Sequence, residues 1–291
     1  MERKGIDLHI HTSASDGTDS PLEIISRVRE AGIGLFSVTD HDTLKCGVII
    51  PALLKAGDPR FICGVEFSCR DGSGKYHVLG YGFDPGSPAI KNVAELGHRL
   101  RMERTEARLE FIKTRFGFGF PEEEISALLA LDNPGKPHIA NLMVKYGYAE
   151  TKDAAIRRYI DLMHLDDYNI RPEQAIRGIS EAGGAAVLAH PAFGDGEQLI
   201  SGKEMEGRVK RMTEYGLKGL ECFYSGFDAA LRGEMLSLAE RFGLYVTCGS
   251  DYHGGNKPVA PGDTGLDAES EYPAGLKRFL EDMKSHEFAA I

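Results

Sequence analysis

The ten histidines of this chain include several whose spacing could support chemistry. His9 and His11 alternate with apolar residues in DLHIH, so on a β-strand both imidazoles point to one face and can share one cation. Asp251 and His253 repeat this two-residue spacing in CGSDYH. Two imidazoles on one face are difficult to bury without a metal ion or an acid, so the spacing predicts metal ligation. The alternative is a pair of barrel-interior histidines bonded to backbone.

Carboxylates stand at two more points where an apolar run ends. TDHDT places Asp40, His41 and Asp42 together, with an acid on each side of the imidazole. GVEFS puts Glu66 in an otherwise apolar stretch, and an unpaired buried carboxylate is costly, so Glu66 should face a cation or a donor. Taken alone, TDHDT fits a solvated polar turn equally well, and Glu66 fits a structural salt bridge.

Three further residues complete the candidate set. His77 lies inside KYHVLGYGF, His190 follows the apolar run of AAVLAHP, and Asp16 follows the first histidine pair. A lone histidine in either place is more often a core residue, but so many strand ends that carry His, Asp or Glu are improbable in a core that only needs filling. These donors exceed one tetrahedral site and include no thiolate. We therefore expect two or three divalent cations, Mn²⁺ first and Zn²⁺ or Fe²⁺ as alternatives.

The elements that must position these residues alternate along the chain. Amphipathic stretches such as PLEIISRVREAG and EGRVKRMTEYG, each closed by a glycine, predict helices between short buried strands. Repeated β-then-α units indicate a parallel sheet or a barrel, whose active sites form at the carboxyl ends of the strands. The predicted strands are GIDLHIH, GLFSVTD, FICGVEFS, KYHVLGYGF, AAVLAHP, KGLECF and LYVTCGSD.

One region breaks the alternation. From about Pro88 to Gln174 the sequence is charged and helical, without a convincing strand. We interpret residues 88–174 as an inserted helical cap subdomain, and residues 1–87 and 175–291 as the barrel that carries the site.

The insertion contains two groups of basic residues. NPGKPHIANLM places Lys136 and His138 at the start of a predicted helix, where a substrate phosphate could bind, and a solvated turn with a capping role is the alternative. Four arginines share one acid-rich helical stretch and predict a salt-bridged outer face: Arg99, Arg101, Arg104 and Arg108.

Composition narrows the choice of partners and compartment. The formal net charge of -10 disfavours a binder of long DNA or RNA, which needs clustered Lys and Arg. The 5 cysteines form no CxxC pair, which favours a reducing cytoplasm over a disulfide framework. The start MERKGIDLHIH lacks a signal-peptide core, and no apolar run is long enough to cross a membrane. We expect a small phosphorylated metabolite as substrate, and nothing indicates an obligatory protein partner.

The ordered motifs resemble those of the polymerase and histidinol phosphatase (PHP) family. DLHIHTSASDG, TDHD, GVEFS, the histidine of KYHVLG, LAHP and GSDYH carry the resemblance, which spans residues from about 6 to 255. It implies a distorted (β/α)7 barrel, a trinuclear metal centre and phosphoester hydrolysis.

The resemblance also implies roles for single residues. It assigns one metal to His9, His11, Glu66 and Asp251, a second to Glu66, His77 and His190, and a third to Asp16, His41 and His253. In some relatives the Asp16 position is a histidine. Asp40 would support the ligands from outside the metal sphere. The residues expected closest to the reaction are Glu66, Asp251 and His190, with Lys136 and His138 on the substrate phosphate.

The helical insertion resembles the branch of the family that acts on small nucleotides and phosphorylated ribose. Attack by a metal-bound hydroxide is expected, because metal coordination can lower the pKa of water to about 7. The substrate would be a phosphorylated ribose or nucleotide, such as 5-phosphoribosyl 1,2-cyclic phosphate with release of inorganic phosphate. Alternatives are a 3′,5′-nucleoside bisphosphate or a nucleoside monophosphate, and histidinol phosphate ranks lower. Rival functions are a metallohydrolase of C–N or C–O bonds, a catalytically inactive regulatory module and a DNA proofreading nuclease.

Overall fold

Seven strands form one sheet in chain order in a computed structural model, which describes residues 5–163, 168–194, 199–267 and 272–288. Each strand predicted from an apolar run is present. They are β1 (Gly5–Asp7), β2 (Ile33–Val38), β3 (Arg60–Asp71), β4 (Gly74–Tyr81), β5 (Ala185–Leu188), β6 (Gly219–Tyr224) and β7 (Tyr245–Gly249). A short eighth strand, β8 (Glu287–Phe288), pairs antiparallel with β3.

Hydrogen bonds from the segment that follows β1 to β7 and to the residues just after β7 close the sheet into a barrel. Leu8 N donates to Cys248 O at 3.0 Å, and Asp251 N donates to His9 O at 2.8 Å. Ile10 forms an isolated parallel bridge with Tyr252 one step further along. Of the parallel sheet or barrel that the strand pattern allows, the barrel is formed, and the distorted α/β barrel that the resemblance implies is confirmed. Its closure also brings the first and last histidine motifs side by side.

Strand β4 departs from the parallel alternation. It pairs antiparallel with both β3 and β5, because β3 and β4 form a hairpin joined by Gly72 and Ser73 alone. Ser73 N donates to Asp71 Oδ1 at 2.7 Å and stabilises this tight turn. His77 consequently lies in the middle of its strand, opposite Ser68 of β3, and not at a carboxyl end.

Six helices accompany the barrel strands. Each buries apolar side chains on one face while its other face meets solvent. Ser20 caps the first of them with a capping box to Glu23. The helices are α1 (Pro21–Glu30), α2 (Lys45–Leu53), α7 (Pro172–Glu181), α8 (Gly202–Glu214), α9 (Ala229–Arg241) and α10 (Ala274–Met283).

The segment between β4 and α7 is helical and has an apolar cluster of its own. It contains α3 (Pro88–Phe116), α4 (Glu122–Leu129), α5 (Lys136–Lys145), α6 (Lys152–Arg158) and a 3₁₀ turn at Ile160–Leu162. Ile112, Ile139 and Met143 are fully buried in this cluster. The boundary predicted between 174 and 175 falls inside α7, so the division into two domains stays an interpretation. No helix in the described ranges is long and apolar enough to cross a membrane.

Candidate metal centre

The structure brings the nine predicted ligands together at one end of the barrel. His9, His11 and Asp16 follow β1, and the others come from just after β2, β5 and β7 or from within β3 and β4. All are buried or nearly so, which is unusual for so many charged and polar groups. They are His9, His11, Asp16, His41, Glu66, His77, His190, Asp251 and His253.

Glu66 lies at the centre of five imidazoles and is only 1% exposed. Burial raises the pKa of this carboxyl, but electrostatic interactions with the imidazoles of His41, His77 and His9 hold it well below its usual range. Its Oε2 lies 3.3 Å from His9 Nε2, 3.1 Å from His11 Nε2 and 3.2 Å from His41 Nδ1, and its Oε1 lies 2.7 Å from His77 Nδ1 and 3.2 Å from His190 Nε2. Glu66 is therefore placed to bridge neighbouring cations.

The ligand atoms fall into three overlapping groups, within each of which they lie no more than 4.8 Å apart. The group of His9, His11, Glu66 and Asp251 has the same four members that the resemblance assigns to one metal. The other two share His41, and His190 is in none of the three, although it contacts Glu66. The groups are His9, His11, Glu66 and Asp251; His11, Asp16, His41 and His253; and His41, Glu66 and His77.

The donor set fits divalent cations. His11 Nδ1 is buried and has no hydrogen-bond partner among the described residues, and His41 Nδ1 makes no well-aligned hydrogen bond although it lies 3.2 Å from Glu66 Oε2. A buried nitrogen without a partner is costly, and a cation would use its lone pair. Nitrogen and carboxylate oxygen donors without a thiolate suit Mn²⁺, Zn²⁺ or Fe²⁺. The role of each residue as a ligand remains a prediction.

Three ligand-bearing strand ends have strained backbones. Asp42, His190 and Asp251 have positive φ angles of 53°, 27° and 57°. A non-glycine residue in this region costs free energy, and such residues concentrate at functional sites where the surrounding structure holds them.

Glu221 supports the centre and was missed from the sequence. It is fully buried in β6; its Oε1 lies 2.9 Å from His9 Nδ1, and its Oε2 accepts a hydrogen bond from His190 N at 2.7 Å. A proton on His9 Nδ1 would leave the Nε2 lone pair free to face the centre. The signal was available, because KGLECF places an acid in an apolar strand, as GVEFS does for Glu66.

The two acids beside His41 have different partners. Asp40 accepts hydrogen bonds from Thr12 N at 2.8 Å, Thr12 Oγ1 at 2.7 Å and Ser15 Oγ at 2.6 Å. It therefore supports the loop that carries His11 and Asp16, which agrees with a role outside the metal sphere. Asp42 accepts from Ser68 N at 3.0 Å and from an arginine of α3.

That arginine is Arg101, and it corrects the interpretation of α3 as a salt-bridged outer face. Arg101, Arg104 and Arg108 are 4%, 7% and 9% exposed, so the prediction is wrong for all three. The spacing of three and four residues puts them on one face of the helix, which turns toward the barrel. Arg99 lies off this face, is exposed and approaches Glu103 at 4.0 Å. The sequence did not reveal that the arginine face is buried, because the acidic residues of α3, which suggested ion pairs with these arginines, occupy the opposite, solvent-facing side.

Lys136 and His138 begin α5, as predicted. His138 Nδ1 accepts a hydrogen bond from Gly135 N at 3.0 Å. His138 therefore caps the N-terminus of α5, which was the alternative considered for this segment. A Cβ on Gly135 would lie 3.4 Å from Asp16 Oδ2 and 3.3 Å from Arg101 Nη1, so the loop before α5 packs directly on the centre. Contact with a substrate phosphate remains a prediction for both residues.

Lys257 and Tyr224 also reach the centre without any signal in the sequence. Lys257 Nζ donates to Asp251 Oδ2 at 2.7 Å and to Tyr224 OH at 2.9 Å. Tyr224 OH donates to the same Asp251 oxygen at 3.0 Å. The outer oxygen of Asp251 is thereby satisfied, while its inner oxygen, Oδ1, lies 3.3 Å from both His9 Nε2 and His11 Nε2.

Comparison with known proteins decides the family. The sequence pattern of the PHP domain matches residues 7–170, and a 3′,5′-nucleoside bisphosphate phosphatase of Chromobacterium violaceum is 31% identical over 274 residues, or 90% of each chain. The chain belongs to the PHP domain family. The resemblance drawn from the motifs is confirmed, and this PHP protein is a hydrolase of phosphoester bonds.

Other PHP relatives differ in what they act on. A 5′-3′ exoribonuclease of Salmonella typhimurium is 29% identical over 85% of this chain and 84% of its own. A phosphoribosyl 1,2-cyclic phosphate 1,2-diphosphodiesterase of Eggerthella lenta is 28% identical over 85% of this chain and 94% of its own. The substrate therefore does not follow from family membership.

Solved structures agree with the fold. A protein of Bifidobacterium adolescentis described as a metal-dependent phosphoesterase superposes with a TM-score of 0.79 at 26% identity, over 95% of both chains. An amidohydrolase from Chromobacterium violaceum superposes with a TM-score of 0.82 at 24% identity, over 98% of both chains, and at this identity the likeness concerns the fold alone.

Proposed function

We propose that this PHP protein hydrolyses phosphate esters of a small nucleotide or phosphorylated ribose at the cluster centred on Glu66. The observation that carries the proposal is the three overlapping ligand groups, which share His11, His41 and Glu66. Such sharing suits cations a few ångströms apart, as in two-metal phosphoesterases. Relatives that act on nucleoside bisphosphates and on a cyclic ribose phosphate support the substrate class.

Two or three divalent cations, Mn²⁺ first, would supply a water-derived nucleophile at neutral pH and positive charge for the phosphate oxygens. The protein's own residues fix the geometry. Glu66 joins neighbouring ligand groups, and Asp251 is held by Lys257 and Tyr224. His190 Nε2 lies 3.2 Å from Glu66 Oε1, where it would hold a cation or contact the substrate phosphate.

A nucleoside bisphosphate is the candidate that a specific observation favours. Phe193 is 38% exposed, and its ring centroid lies 6.3 Å from that of His190. Phe227 stacks against Phe193 at 5.8 Å and supports it. An exposed aromatic face beside the centre suits stacking of a nucleobase, which a cyclic ribose phosphate lacks. The proposed compartment is the cytoplasm, since five free, buried thiols suit a reducing environment.

The test is inorganic phosphate release by manganese-loaded protein across a substrate panel. The panel holds adenosine 3′,5′-bisphosphate, adenosine 5′-monophosphate, 5-phosphoribosyl 1,2-cyclic phosphate and histidinol phosphate, with nucleotide release from a 5′-phosphorylated RNA oligomer measured in parallel. We expect one small substrate to dominate and His9→Asn to abolish its turnover, while His286→Asn, outside the cluster, retains it.

Two results would contradict the proposal. Turnover of the RNA oligomer alone would replace the small substrate with a polymer, in line with the exoribonuclease relatives. Absence of turnover on the whole panel, with metal binding verified by elemental analysis, would remove the small-phosphoester assignment altogether.

A further inference from the structure

Two loops of the candidate metal centre contact each other directly. One follows β1 and carries Asp16, and the other follows β7 and carries His253. Thr18 N donates to His253 O at 3.2 Å, and Thr18 Oγ1 accepts from Gly255 N at 2.9 Å. Asp16 and His253 belong to one candidate cation group. The contact between their loops therefore helps to fix two of the four ligands in that group.

Gly254 shows how closely these loops approach. Its φ angle is 63°, which lies in the left-handed region that favours glycine. A Cβ at this position would lie 2.0 Å from Thr18 Oγ1, so no larger residue fits without a movement of one loop. Because the two loops are in such close contact, a displacement of the loop after β7 also displaces the loop that carries Asp16.

Asn256 adds a side-chain contact between the same two loops. It is the last residue of the 3₁₀ turn Gly254–Asn256, and its Nδ2 donates to Asp16 O at 2.7 Å. Asp16 is only 6% exposed, and a buried backbone carbonyl without a partner is costly. The amide of Asn256 therefore holds the backbone of a candidate metal ligand.

The other end of this amide contacts the helical insertion. Lys152, the first residue of α6, donates from Nζ to Asn256 Oδ1 at 2.7 Å. A lysine ammonium can only donate and a backbone carbonyl can only accept, so the two partners fix the orientation of the amide. Two hydrogen bonds thus connect α6 to the candidate metal centre. We call Lys152, Asn256 and Asp16 the Asn256 bridge.

We propose that Asn256 is a positioning residue that couples the docking of the insertion to cation binding at the group of Asp16 and His253. A cation that fixes Asp16 stabilises the bridge, and the docked insertion in turn favours the cation, because coupling between two equilibria is reciprocal. The inference rests on the proposed function, since it requires that this group holds a cation. It assigns to the insertion an effect on the metal centre as well as a place above it.

Manganese affinity tests the Asn256 bridge without a measurement of activity. Competition with a chromogenic chelator resolves the cations of wild type, and Asp16→Ala identifies the one that depends on this group. We expect Asn256→Leu, which is similar in size but has no polar side-chain atoms, to weaken that cation by about tenfold or more, as loss of a hydrogen bond that orients a ligand does. Asn92→Leu, exposed on α3, should leave every affinity unchanged.

Lys152→Met separates the bridge from a simple effect of charge. Loss of a positive charge near the site would by itself strengthen cation binding. Loss of one hydrogen bond of the bridge should instead weaken it, by about twofold to tenfold. The double variant Lys152→Met/Asn256→Leu should bind no more weakly than Asn256→Leu, because Lys152 acts through Asn256. Lys91→Met, exposed on α3, is the matched control.

Hydrogen exchange in α6 measures the coupling in the other direction. Excess Mn²⁺ should slow amide exchange in residues 152–158 by about tenfold in wild type and in Asn92→Leu, and should have little effect in Asn256→Leu. A fall in affinity without this protection of α6 would overturn the coupling, since Asn256 would then act on the loops alone.

The Asp16→Ala variant separates failure of this inference from failure of the proposed function. If Asp16→Ala weakens one cation and Asn256→Leu weakens none, the coupling is overturned and the metal centre stands. If Asp16→Ala weakens no cation, the group of Asp16 and His253 is not a metal site, and both the inference and that part of the proposed function are overturned.

Discussion

Glu221 Oε1 lies 2.9 Å from His9 Nδ1, and both side chains are completely buried. The carboxylate turns the other ring nitrogen of His9 toward Glu66 and Asp251. An acid that holds the far nitrogen of a histidine ligand fixes its tautomer and raises its basicity. The same Glu221 also holds the backbone of His190, so one carboxylate supports candidate ligands that follow two different strands.

Replacement of this carboxylate should weaken metal binding. In Glu221→Gln we expect the affinity for Mn²⁺ to fall by about 10- to 100-fold, because the amide no longer offers a charged acceptor to His9. Competition with a chromogenic chelator measures the affinity, and Glu214→Gln, an exposed acid of α8, serves as the control. Unchanged affinity in Glu221→Gln would show that His9 is not a ligand or does not need this support.

Loss of Arg101 should destabilise the protein strongly. Its guanidinium lies 2.7 Å from Asp42 Oδ2 and donates to Ser68 Oγ at 2.9 Å, and both partners of the ion pair are almost fully buried. Arg101→Met leaves Asp42 buried without its counter-charge, which costs about 3–5 kcal/mol. Urea unfolding followed by circular dichroism gives the change in free energy. Arg99→Met on the exposed face should alter it by less than about 0.5 kcal/mol, and equal effects of the two substitutions would refute this account.

The barrel and most of its site could be predicted because both follow local patterns. A histidine or acid at the end of an apolar run signals a strand whose carboxyl end faces a site, and DLHIH, TDHD and GSDYH each carried that signal. Closure between β1 and β7 then brought the chain's two ends together, as a barrel requires. Residues that are far apart in sequence thereby lie next to each other in the closed sheet.

The residues that were missed depend on tertiary packing. Which face of α3 is buried is set by its contact with the barrel, and the acids between its arginines concealed that face. Lys257 stands in a loop with no periodic pattern, so nothing local indicates that it reaches Asp251. The β3–β4 hairpin overrode the β-then-α alternation, although DGSG carried a turn signal.

Gly249 allows β7 to approach His9 closely. A Cβ at this position would lie 2.1 Å from His9 Cβ and 2.6 Å from Glu221 Oε1. Gly249→Ala should therefore destabilise the fold by about 1–3 kcal/mol through overpacking. Gly233→Ala, in α9 with open space around the new methyl group, should stabilise it by about 0.5–1 kcal/mol. Denaturant midpoints of the two variants should move in opposite directions, and a shared direction would refute the packing argument.

Chelation should lower the thermal stability of the native protein. The cluster packs three carboxylates and six imidazoles together, and free Mn²⁺ at 100 times its Kd would stabilise the fold by about 2.7 kcal/mol. Differential scanning calorimetry should show a lower Tm in chelator than in excess Mn²⁺, with the difference much reduced in His9→Asn. The same Tm in both buffers would mean that cation binding at the cluster does not stabilise the folded protein.

The pH dependence of thiol alkylation should report the burial of β3. Burial raises the pKa of Cys63 to about 12, and Asp84 adds to the effect, so near pH 8 the side chain stays a protonated, unreactive thiol in the folded protein. In urea the same cysteine regains an ordinary pKa of about 8.5, and its thiolate fraction rises through pH 8–9. Iodoacetamide labelling followed by peptide mass spectrometry should therefore show native modification that is far slower than modification in urea and rises about tenfold per pH unit through pH 9, whereas the rate in urea begins to level off near pH 9. Native labelling of Cys63 that levels off near pH 9 at rates close to those in urea would mean that β3 opens readily, which contradicts the closed barrel.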